Sequence, residues 1–208
     1  MKKNIIFDNG DVLTMYEPLQ VLRRFLSDEA DVQTLNRTFY QAGYIRETDR
    51  GVMTHEEAIE RVKDKLPQRL VDLLRYLYIE NVYGVAFMPV FEEMTALVRE
   101  VKEKGYGAYL LSNAGFDYYV YSKQNPAIAM MDGVVISCEY KLLKPERELY
   151  QILFDKYDLD PAECVFIDDM PENIAGANAV GLDGICFSPA REDVSVLREK
   201  LRGYGYDL

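Results

Sequence analysis

The sequence is short of positive charge. Its 208 residues include 24 Lys and Arg against 35 Asp and Glu, which gives a formal net charge of −11 at pH 7. Such a composition repels polyanions, so it argues against nucleic acid or an anionic membrane as a partner. An anionic ligand could bind only where a local positive feature meets it, such as a metal ion, a lysine or a helix N-terminus.

The sequence also lacks long apolar runs and clustered cysteines. No apolar run is long enough to cross a bilayer, and Asp8 interrupts the run after Met1-Lys2-Lys3 too early for a signal peptide. The three cysteines show no metal-type spacing and lie in or beside apolar, strand-like runs. They are Cys138, Cys164 and Cys186. We therefore expect buried free thiols and a cytoplasmic protein.

Strands and helices alternate along most of the chain. A first strand, Asn4 to Phe7, is apolar on both faces and ends at Asp8, as expected for a strand buried in a parallel sheet. Four more strands are predicted at residues 106–111, 133–138, 164–167 and 184–187. Helices are predicted from Pro89 to Gly105 and at 116–123, 146–157, 174–180 and 192–202, before a polar tail at 203–208. This alternation predicts an α/β fold with a doubly wound parallel sheet covered on both faces.

Between the first strand and Pro89 the apolar spacing is helical for about seventy residues, without a strand pattern. Four amphipathic helices are predicted, and Thr54 with Glu57 three residues later forms a capping box at the start of the third. The single histidine, His55, lies just inside this cap, so we expect an exposed helix-start residue rather than a catalytic base. The segment is predicted to be a helical bundle inserted after the first strand.

Polar residues lie at the ends of three predicted strands. Asp8 follows the first strand and Ser112 the second. Asp168 and Asp169 follow the fourth, and Lys144 opens a helix. Strand ends of a doubly wound sheet lie on one edge, so these residues can converge, and a carboxylate, a lysine and a divalent cation suit phosphoryl transfer. Each stretch alone also has a structural interpretation, as a helix cap, a loop lysine or a capped turn.

Four motifs follow one another along the chain. They are Asp8-Asn9-Gly10-Asp11-Val12-Leu13, Leu110-Leu111-Ser112-Asn113, Lys144-Pro145 and Phe166-Ile167-Asp168-Asp169-Met170-Pro171-Glu172-Asn173. In this combination they resemble the signature of the haloacid dehalogenase (HAD) superfamily, and the resemblance covers essentially the whole chain. It implies a Rossmann-like HAD catalytic core in residues 1–15 and 86–208, with a helical cap domain in residues 16–85.

The resemblance implies a role for each motif residue in a phosphatase. Asp8 would be the nucleophile that forms an aspartyl-phosphate, and Lys144 would pair with it and with the phosphate as a point charge. The implied substrate-binding residues are Asn9, Gly10, Ser112, Asn113 and Lys144. The implied ligands of a Mg²⁺ cofactor are Asp8, Gly10 through its carbonyl group, Asp168 and Asp169. Asp169 would bind the ion directly, and Asp168 either directly or from behind it.

Gly10 departs from the pattern of most HAD phosphatases, which carry a second Asp there as general acid and base. A glycine keeps a carbonyl group for the metal but lacks the carboxyl group, whose proton transfer typically contributes ~10²–10⁴-fold. Three explanations remain open. Asp11 could take part of the role, although a turn residue is the simpler interpretation. The leaving group could need little protonation, as with a sugar 1-phosphate, or turnover could be lost while phosphate binding is kept.

The sequence patterns of two other groups of HAD proteins bear on these explanations for Gly10. The Asp-x-Gly pattern at Asp8 resembles a HAD branch that includes bacterial phosphatases active on α-glucose 1-phosphate, although Asp11 replaces that branch's usual Asn. Dehalogenases of the superfamily also lack the second Asp, but they need no Mg²⁺ and do not keep the acidic pair. Asp168 and Asp169 therefore argue against dehalogenation.

Residues 40–51 are the part of the cap that we expect to face the site. They include Tyr44, Arg46, Glu47, Asp49 and Arg50, each of which could equally be a solvated loop residue. The main hypothesis is a Mg²⁺-dependent phosphatase of a small phosphorylated metabolite, in particular a sugar phosphate, acting as a monomer or homodimer. The alternative is a catalytically weak or inactive protein that binds phosphate or a partner on the same scaffold. A phosphomutase would need the missing acid and base in both half-reactions, so the absence of that residue argues against this third activity.

Overall fold

Five parallel strands form the central sheet of the protein, whose computed structural model describes residues 2–80 and 88–208. The strands are β1 (Asn4–Phe7), β2 (Gly107–Ser112), β3 (Gly133–Ile136), β4 (Cys164–Asp168) and β5 (Asp183–Cys186). Their order is β3-β2-β1-β4-β5, and every neighbouring pair is parallel. The predicted α/β fold with a parallel sheet is confirmed, and β1 lies at its centre.

Helices cover both faces of this sheet. The described helices are α1 (Pro18–Arg23), α2 (Glu29–Leu35), α3 (Tyr44–Asp49), α4 (His55–Val62), α5 (Gln68–Arg75), α6 (Glu92–Glu103), α7 (Tyr118–Tyr121), α8 (Ser137–Tyr140), α9 (Arg147–Tyr157), α10 (Pro171–Ala179) and α11 (Val194–Gly203). Ile5 and Phe7 share a buried cluster with residues of α6 and α11. Ile6 shares another with residues of α9 and α10. Both faces of β1 are therefore buried, which explains its continuous apolar run.

Helices α1 to α5 lie between β1 and the rest of the sheet in the chain, as the sequence predicts. Their buried apolar side chains form a hydrophobic cluster separate from the two clusters on the faces of the sheet. Helix α2 continues into a π-helical turn at Asn36–Tyr40, and α5 into another at Tyr76–Glu80. The predicted domain boundary between residues 85 and 86 lies outside the described residues, so that boundary stays a prediction.

Helix α3 occupies part of the segment for which the sequence suggests a loop, so α1 to α5 are five helices rather than the four predicted. Its six residues make less than two turns, which is too short for a recognisable apolar period. Gly43 precedes it with φ of 87°, a left-handed conformation that glycine adopts without steric cost. This turn directs the following residues of α3 towards the sheet.

The predicted capping box at the start of α4 is present. Thr54 Oγ1 accepts a hydrogen bond from the Glu57 N–H at 3.1 Å, and Glu57 Oε2 accepts one from the Thr54 N–H at 2.8 Å. Thr54→Ala should therefore lower the free energy of unfolding by about 1 kcal/mol, measured by urea denaturation. Thr34→Ala, inside α2, is the control, since alanine has the higher helix propensity there. Equal losses in both variants would contradict a capping effect.

The sequence predicts that Pro89 opens the next helix, and this prediction is wrong. Helix α6 begins three residues later, at Glu92. The backbone before it pairs instead with the chain that follows β1. The Met15 N–H donates to Pro89 O at 2.9 Å, and the Phe91 N–H donates to Leu13 O at 3.0 Å. These long-range hydrogen bonds hold residues 89–91 extended, and the local preference of proline for a first helical turn is overridden.

Two predicted ranges in the second half of the chain are too long. The third strand ends at Ile136 rather than Cys138, because Ser137 begins the short helix α8. The helix predicted over residues 116–123 is α-helical only at Tyr118–Tyr121. Both differences lie in the chain that follows the end of a strand, where the backbone turns at the edge of the sheet.

The C-terminal tail is not simply polar, as the sequence suggested. Tyr206 and Leu208 are buried, and Tyr206 Oη donates a hydrogen bond to Asn4 O at 2.6 Å. The expectation of buried free thiols is also wrong for Cys186, which is exposed, whereas Cys138 and Cys164 are buried and free. None of the helices in the two described ranges is long and apolar enough to cross a membrane.

Candidate active site

A buried lysine joins residues from three parts of the chain. Lys144 Nζ lies 2.8 Å from Asp8 Oδ1 and 2.6 Å from Asp168 Oδ2, and it donates a hydrogen bond to Leu111 O at 3.0 Å. Only 1% of Lys144 is exposed. A charge buried to this extent must be paired and hydrogen-bonded, and the two carboxylates with the carbonyl group meet that need. Ser112, also buried, ends β2 on the same edge.

Asn113 holds the backbone of the lysine. Its Oδ1 accepts a hydrogen bond from the Lys144 N–H at 2.8 Å, and its Nδ2 donates to Lys144 O at 3.2 Å. The lysine ammonium also lies 5.2 Å from the centre of the Phe166 ring, within cation–π range. The Asn113 side chain therefore positions Lys144, whereas the phosphate contact that the motif implies involves the backbone near Asn113 and stays a prediction.

The two neighbouring aspartates have different surroundings. Asp168 is fully buried, and its Oδ1 accepts hydrogen bonds from the Met170 N–H at 2.8 Å and from Asn173 Nδ2 at 3.0 Å. Asp169 lines the cavity at the sheet edge, and Arg191 Nη2 donates to its Oδ2 at 3.2 Å. Oxygen atoms of Asp8, Asp168 and Asp169 lie within 4.8 Å of one another. These three carboxylates are hard oxygen donors of the kind that Mg²⁺ prefers.

The turn after β1 fixes its own polar side chains. Thr14 Oγ1 donates to Asn9 Oδ1 at 3.2 Å, and Asn9 Nδ2 donates to Tyr121 Oη at 3.5 Å. Asp11 has φ of 52°, and its Oδ1 accepts a hydrogen bond from the Tyr16 N–H at 2.9 Å. Asp11 thus serves as a turn residue, the simpler of the two interpretations from sequence.

Gly10 lines the cavity and has room for a side chain. A β-carbon built at this position would meet only Tyr16 Cβ, at 3.7 Å, which is an ordinary contact distance. A β-carbon would therefore be tolerated at position 10. Glycine itself offers the cavity no side chain that could donate a proton.

Burial and the neighbouring charges shift the pKa values of the residues at the site. Burial, followed by the charge of Asp168, raises the pKa of Asp8 to about 7, although Lys144 opposes this change. Burial and Asp168 likewise raise the pKa of Asp169 to about 6. Burial alone would lower the pKa of Lys144, but the charges of Asp168 and Asp8 outweigh it and raise that pKa. Three carboxylates around one lysine leave an excess of negative charge, which a divalent cation would offset.

Comparison with known proteins agrees with this arrangement. The sequence model of the haloacid dehalogenase-like hydrolases matches residues 2–181. The chain belongs to this family. A HAD family enzyme of Bacteroides thetaiotaomicron, in a structure with magnesium and inorganic phosphate, has a TM-score of 0.73 at 22% identity. The match covers 95% of this chain and 99% of that one, and at this identity it shows the shared fold.

Two phosphatases are similar to part of this HAD hydrolase. Its sequence is 30% identical over 107 residues to that of the sesquiterpene phosphatase astK of Aspergillus oryzae. This match covers 51% of this chain and 55% of that protein. It is also 26% identical over 97 residues to flavin mononucleotide hydrolase 1 of Arabidopsis thaliana. That match covers 47% of this chain and 40% of that protein. The chain thus spans about half the length of these relatives, or less.

The HAD hydrolase has a cavity of about 230 Å³ over the site, and part of its lining was not foreseen from the sequence. Asp117 and Tyr121 reach it from the chain after β2, and Tyr78 from the helical segment. The position of Asp117 five residues after Ser112, beyond a strand end, is a signal that could have placed it here. In the helical segment, the predicted range 40–51 contributes Asp49 to the lining, whereas Tyr78 lies outside that range and had no signal in the sequence.

His55 is not the exposed residue that the sequence suggested. It is half-buried, lines the cavity and stacks on Tyr78 with ring centres 4.7 Å apart. Burial lowers the pKa of His55, whereas the neighbouring charge of Asp117 raises it. The capping box contributes to this placement, because Thr54 caps α4 and His55 is the first residue of the helix.

Proposed function

We propose that this HAD hydrolase is a Mg²⁺-dependent phosphatase that hydrolyses a small phosphate monoester through an aspartyl-phosphate on Asp8. The observation that carries the proposal is the position of Lys144 Nζ between Asp8 and Asp168, with Asp169 beside them at the sheet edge. Asp8 then supplies the nucleophile, and Lys144 supplies a fixed positive charge for the nucleophile and the phosphoryl group.

The donor set suits Mg²⁺. Asp8 and Asp169 line the cavity, and the carbonyl group of Gly10 lies in the same turn as Asp8. We propose these three as the groups that hold the ion, with Asp168 supporting Lys144 and the cluster from behind. Burial is the main cause that raises the pKa values of Asp8 and Asp169, with the charge of Asp168 adding to it, and a bound cation would offset both effects. When bound, Mg²⁺ would neutralise charge on the phosphoryl oxygens.

The remaining site residues are proposed to bind the phosphate and its organic part. Ser112 and the backbone at Asn113 can donate hydrogen bonds to phosphoryl oxygens, and Asn9 lies beside them. The cavity is smaller than those that usually hold drug-sized ligands, which supports a compact substrate such as a sugar phosphate. A sugar 1-phosphate suits the absent carboxyl group at Gly10, since its leaving oxygen needs less help from an acid.

Two relatives named as a phosphatase and a hydrolase of flavin mononucleotide, and a solved neighbour that contains magnesium and inorganic phosphate, support the reaction class. We also propose that residues 16–85 act as a cap over a core of residues 1–15 and 86–208, because the helical segment has its own hydrophobic cluster and contributes Tyr78 and His55 to the cavity. The cytoplasmic location and the monomer or homodimer state stay predictions.

The proposal is tested by phosphate release from glucose 1-phosphate, glucose 6-phosphate, flavin mononucleotide and p-nitrophenyl phosphate. We expect release with Mg²⁺, loss with EDTA and recovery on adding Mg²⁺ back. Asp169→Asn should raise the Mg²⁺ concentration for half-maximal release by at least about tenfold, because it removes a charged ligand. Release that EDTA leaves unchanged would contradict the metal site.

A second candidate function is phosphate or partner binding without turnover. Gly10 favours it, because position 10 has no carboxyl group and the Asp11 carboxylate is engaged by the Tyr16 N–H. This candidate predicts that the folded protein binds inorganic phosphate with Mg²⁺ but releases none from any ester. Binding measured by calorimetry together with the release assay distinguishes the two functions.

A further inference from the structure

The cavity contains one carboxyl group from the helical segment that the proposed reaction does not yet use. Asp49, the last residue of α3, lines the same cavity as Asp8, Lys144 and Asp169. It approaches the cavity from the cap, whereas those three residues belong to the sheet edge. Its position is the one expected for a group that contacts the part of a substrate beyond the phosphorus.

Contacts to the core fix Asp49 in this position. Ser137 Oγ donates a hydrogen bond to Asp49 O at 2.5 Å and accepts one from the Ala114 N–H at 2.9 Å. One hydroxyl group therefore joins the end of α3 to the chain that follows β2. The same chain segment carries Gly115, which lines the same cavity as Asp49.

The two residues after Asp49 strengthen this attachment. Both Nη atoms of Arg50 contact Glu146, at 3.1 and 2.5 Å, and Nη1 also donates to Lys141 O at 3.2 Å. Gly51 has φ of 72°, and a β-carbon there would lie 2.2 Å from Cys138 O. Close packing and a forked ion pair thus hold residues 49–51 against the core, so the Asp49 carboxyl group is placed before substrate arrives.

The chemical state of Asp49 suits a proton donor. Burial, then the charges of Asp117 and Asp8, raise its pKa well above the ordinary value, although the Gly115 backbone and Arg46 oppose the shift. This direction favours the protonated carboxyl group, which is the form that can donate a proton. Among the other acids that line the cavity, Asp11 is bound to the Tyr16 N–H. Asp117 is the competing candidate, because burial also raises its pKa although the charge of His55 opposes the shift.

We propose that Asp49 donates the proton to the leaving group and afterwards accepts one from the hydrolytic water, the task for which position 10 has no side chain. The inference rests on the proposed phosphatase function. In the first half-reaction Asp8 bonds to phosphorus, the bond from phosphorus to the ester oxygen breaks, and the Asp49 proton passes to that oxygen. In the second, water attacks phosphorus, its proton passes to the Asp49 carboxylate, and inorganic phosphate and the Asp8 carboxylate are released.

The test compares leaving groups. Phosphorylation of Asp8 is measured by rapid quench with Mg²⁺, using p-nitrophenyl phosphate, whose phenolate leaves without a proton, and glucose 6-phosphate, whose alcohol needs one. We expect Asp49→Asn to slow phosphorylation by glucose 6-phosphate by about 10²–10⁴-fold and to slow that by p-nitrophenyl phosphate far less. Both esters are measured on one preparation, so the ratio of rates does not depend on the folded fraction.

Two variants serve as comparisons. Glu47→Gln changes an exposed carboxylate on the same helix and should keep the wild-type ratio. Asp117→Asn removes the cavity acid whose charge acts on His55 and should not reproduce the leaving-group effect. Equal slowing of both esters by Asp49→Asn, an unchanged ratio, or the effect in Asp117→Asn instead would overturn the role of Asp49 while leaving the phosphatase intact. A wild type that forms no phosphoenzyme with any ester would overturn the proposed function and this role with it.

Discussion

Asp8→Asn should reduce phosphate release by about 10⁴-fold or more, because an amide cannot attack phosphorus and the variant loses the proposed covalent intermediate. The expected effect is the largest of any substitution in the chain, since in the proposed reaction every other group at the site assists a bond that Asp8 forms. The measurement is kcat with glucose 1-phosphate and p-nitrophenyl phosphate at saturating Mg²⁺. The control is Asp64→Asn, which changes an exposed aspartate between α4 and α5 and should leave kcat unchanged.

In EDTA, the Asp8→Asn variant should not have a lower free energy of unfolding than the wild type. The pKa of Asp8 is raised to about 7 in the folded protein, so its ionisation is unfavourable to folding. This cost is absent below about pH 4, where the carboxyl group is protonated in both the folded and the unfolded state, and is complete above pH 7. The stability of Asp8→Asn relative to the wild type should therefore rise between these pH values in urea denaturation. Retained phosphate release in the folded variant would rule out Asp8 as the nucleophile.

Lys144→Met should lower the free energy of unfolding by about 3–5 kcal/mol at pH 8 in EDTA, because it leaves Asp8 and Asp168 without their shared cation in a buried site. The methionine fills much of the space of the lysine stem, so the loss reports mainly the unpaired carboxylates. Urea denaturation provides the measurement, and phosphate release should fall as well because the phosphoryl group loses a fixed charge.

Lys104→Met is the matched control for that loss. Lys104 pairs with Asp207 at 2.6 Å, but the Asp207 side chain is 89% exposed and the pair lies at the surface. Water replaces a lost surface ion pair, so the expected change is within about 1 kcal/mol. If the two lysine variants lost equal stability, the carboxylates around Lys144 would not depend on it, and its proposed role would fail.

The sequence predicted the sheet well because buried parallel strands have a local signature. The apolar runs at β1 and β4 and the glycines that end helices are visible without knowledge of the fold. Placement of Asp8, Ser112 and Asp168 at one edge then followed, since the strands are parallel and their ends must lie together. Element boundaries were less predictable, as at Pro89, where backbone pairing with distant residues decided the conformation.

The partners of each side chain could not be predicted in the same way. The motif implied a phosphate contact from the backbone near Asn113, and it gave no sign that the Asn113 amide holds the Lys144 backbone, 31 residues away in the chain. Asp168 was assigned to the metal on its motif, and the structure surrounds it with Lys144 and Asn173. Hydrogen-bond partners depend on packing between distant segments, for which one sequence carries no direct signal.

The sequence by itself determined the class of fold, the family and the residues at the sheet edge, because each depends on local patterns and on motif spacing. The sequence also indicated that residues 40–51 face that edge, but only the tertiary structure decided which side chains do. It places Asp49 at the cavity together with His55, which the sequence suggested to be exposed, while Asp11, the nearest acid in the chain, is held by its own turn. The physical reason is that the short helix α3 takes its position from Ser137, Arg50 and Gly51, contacts that exist only once the segment packs on the core.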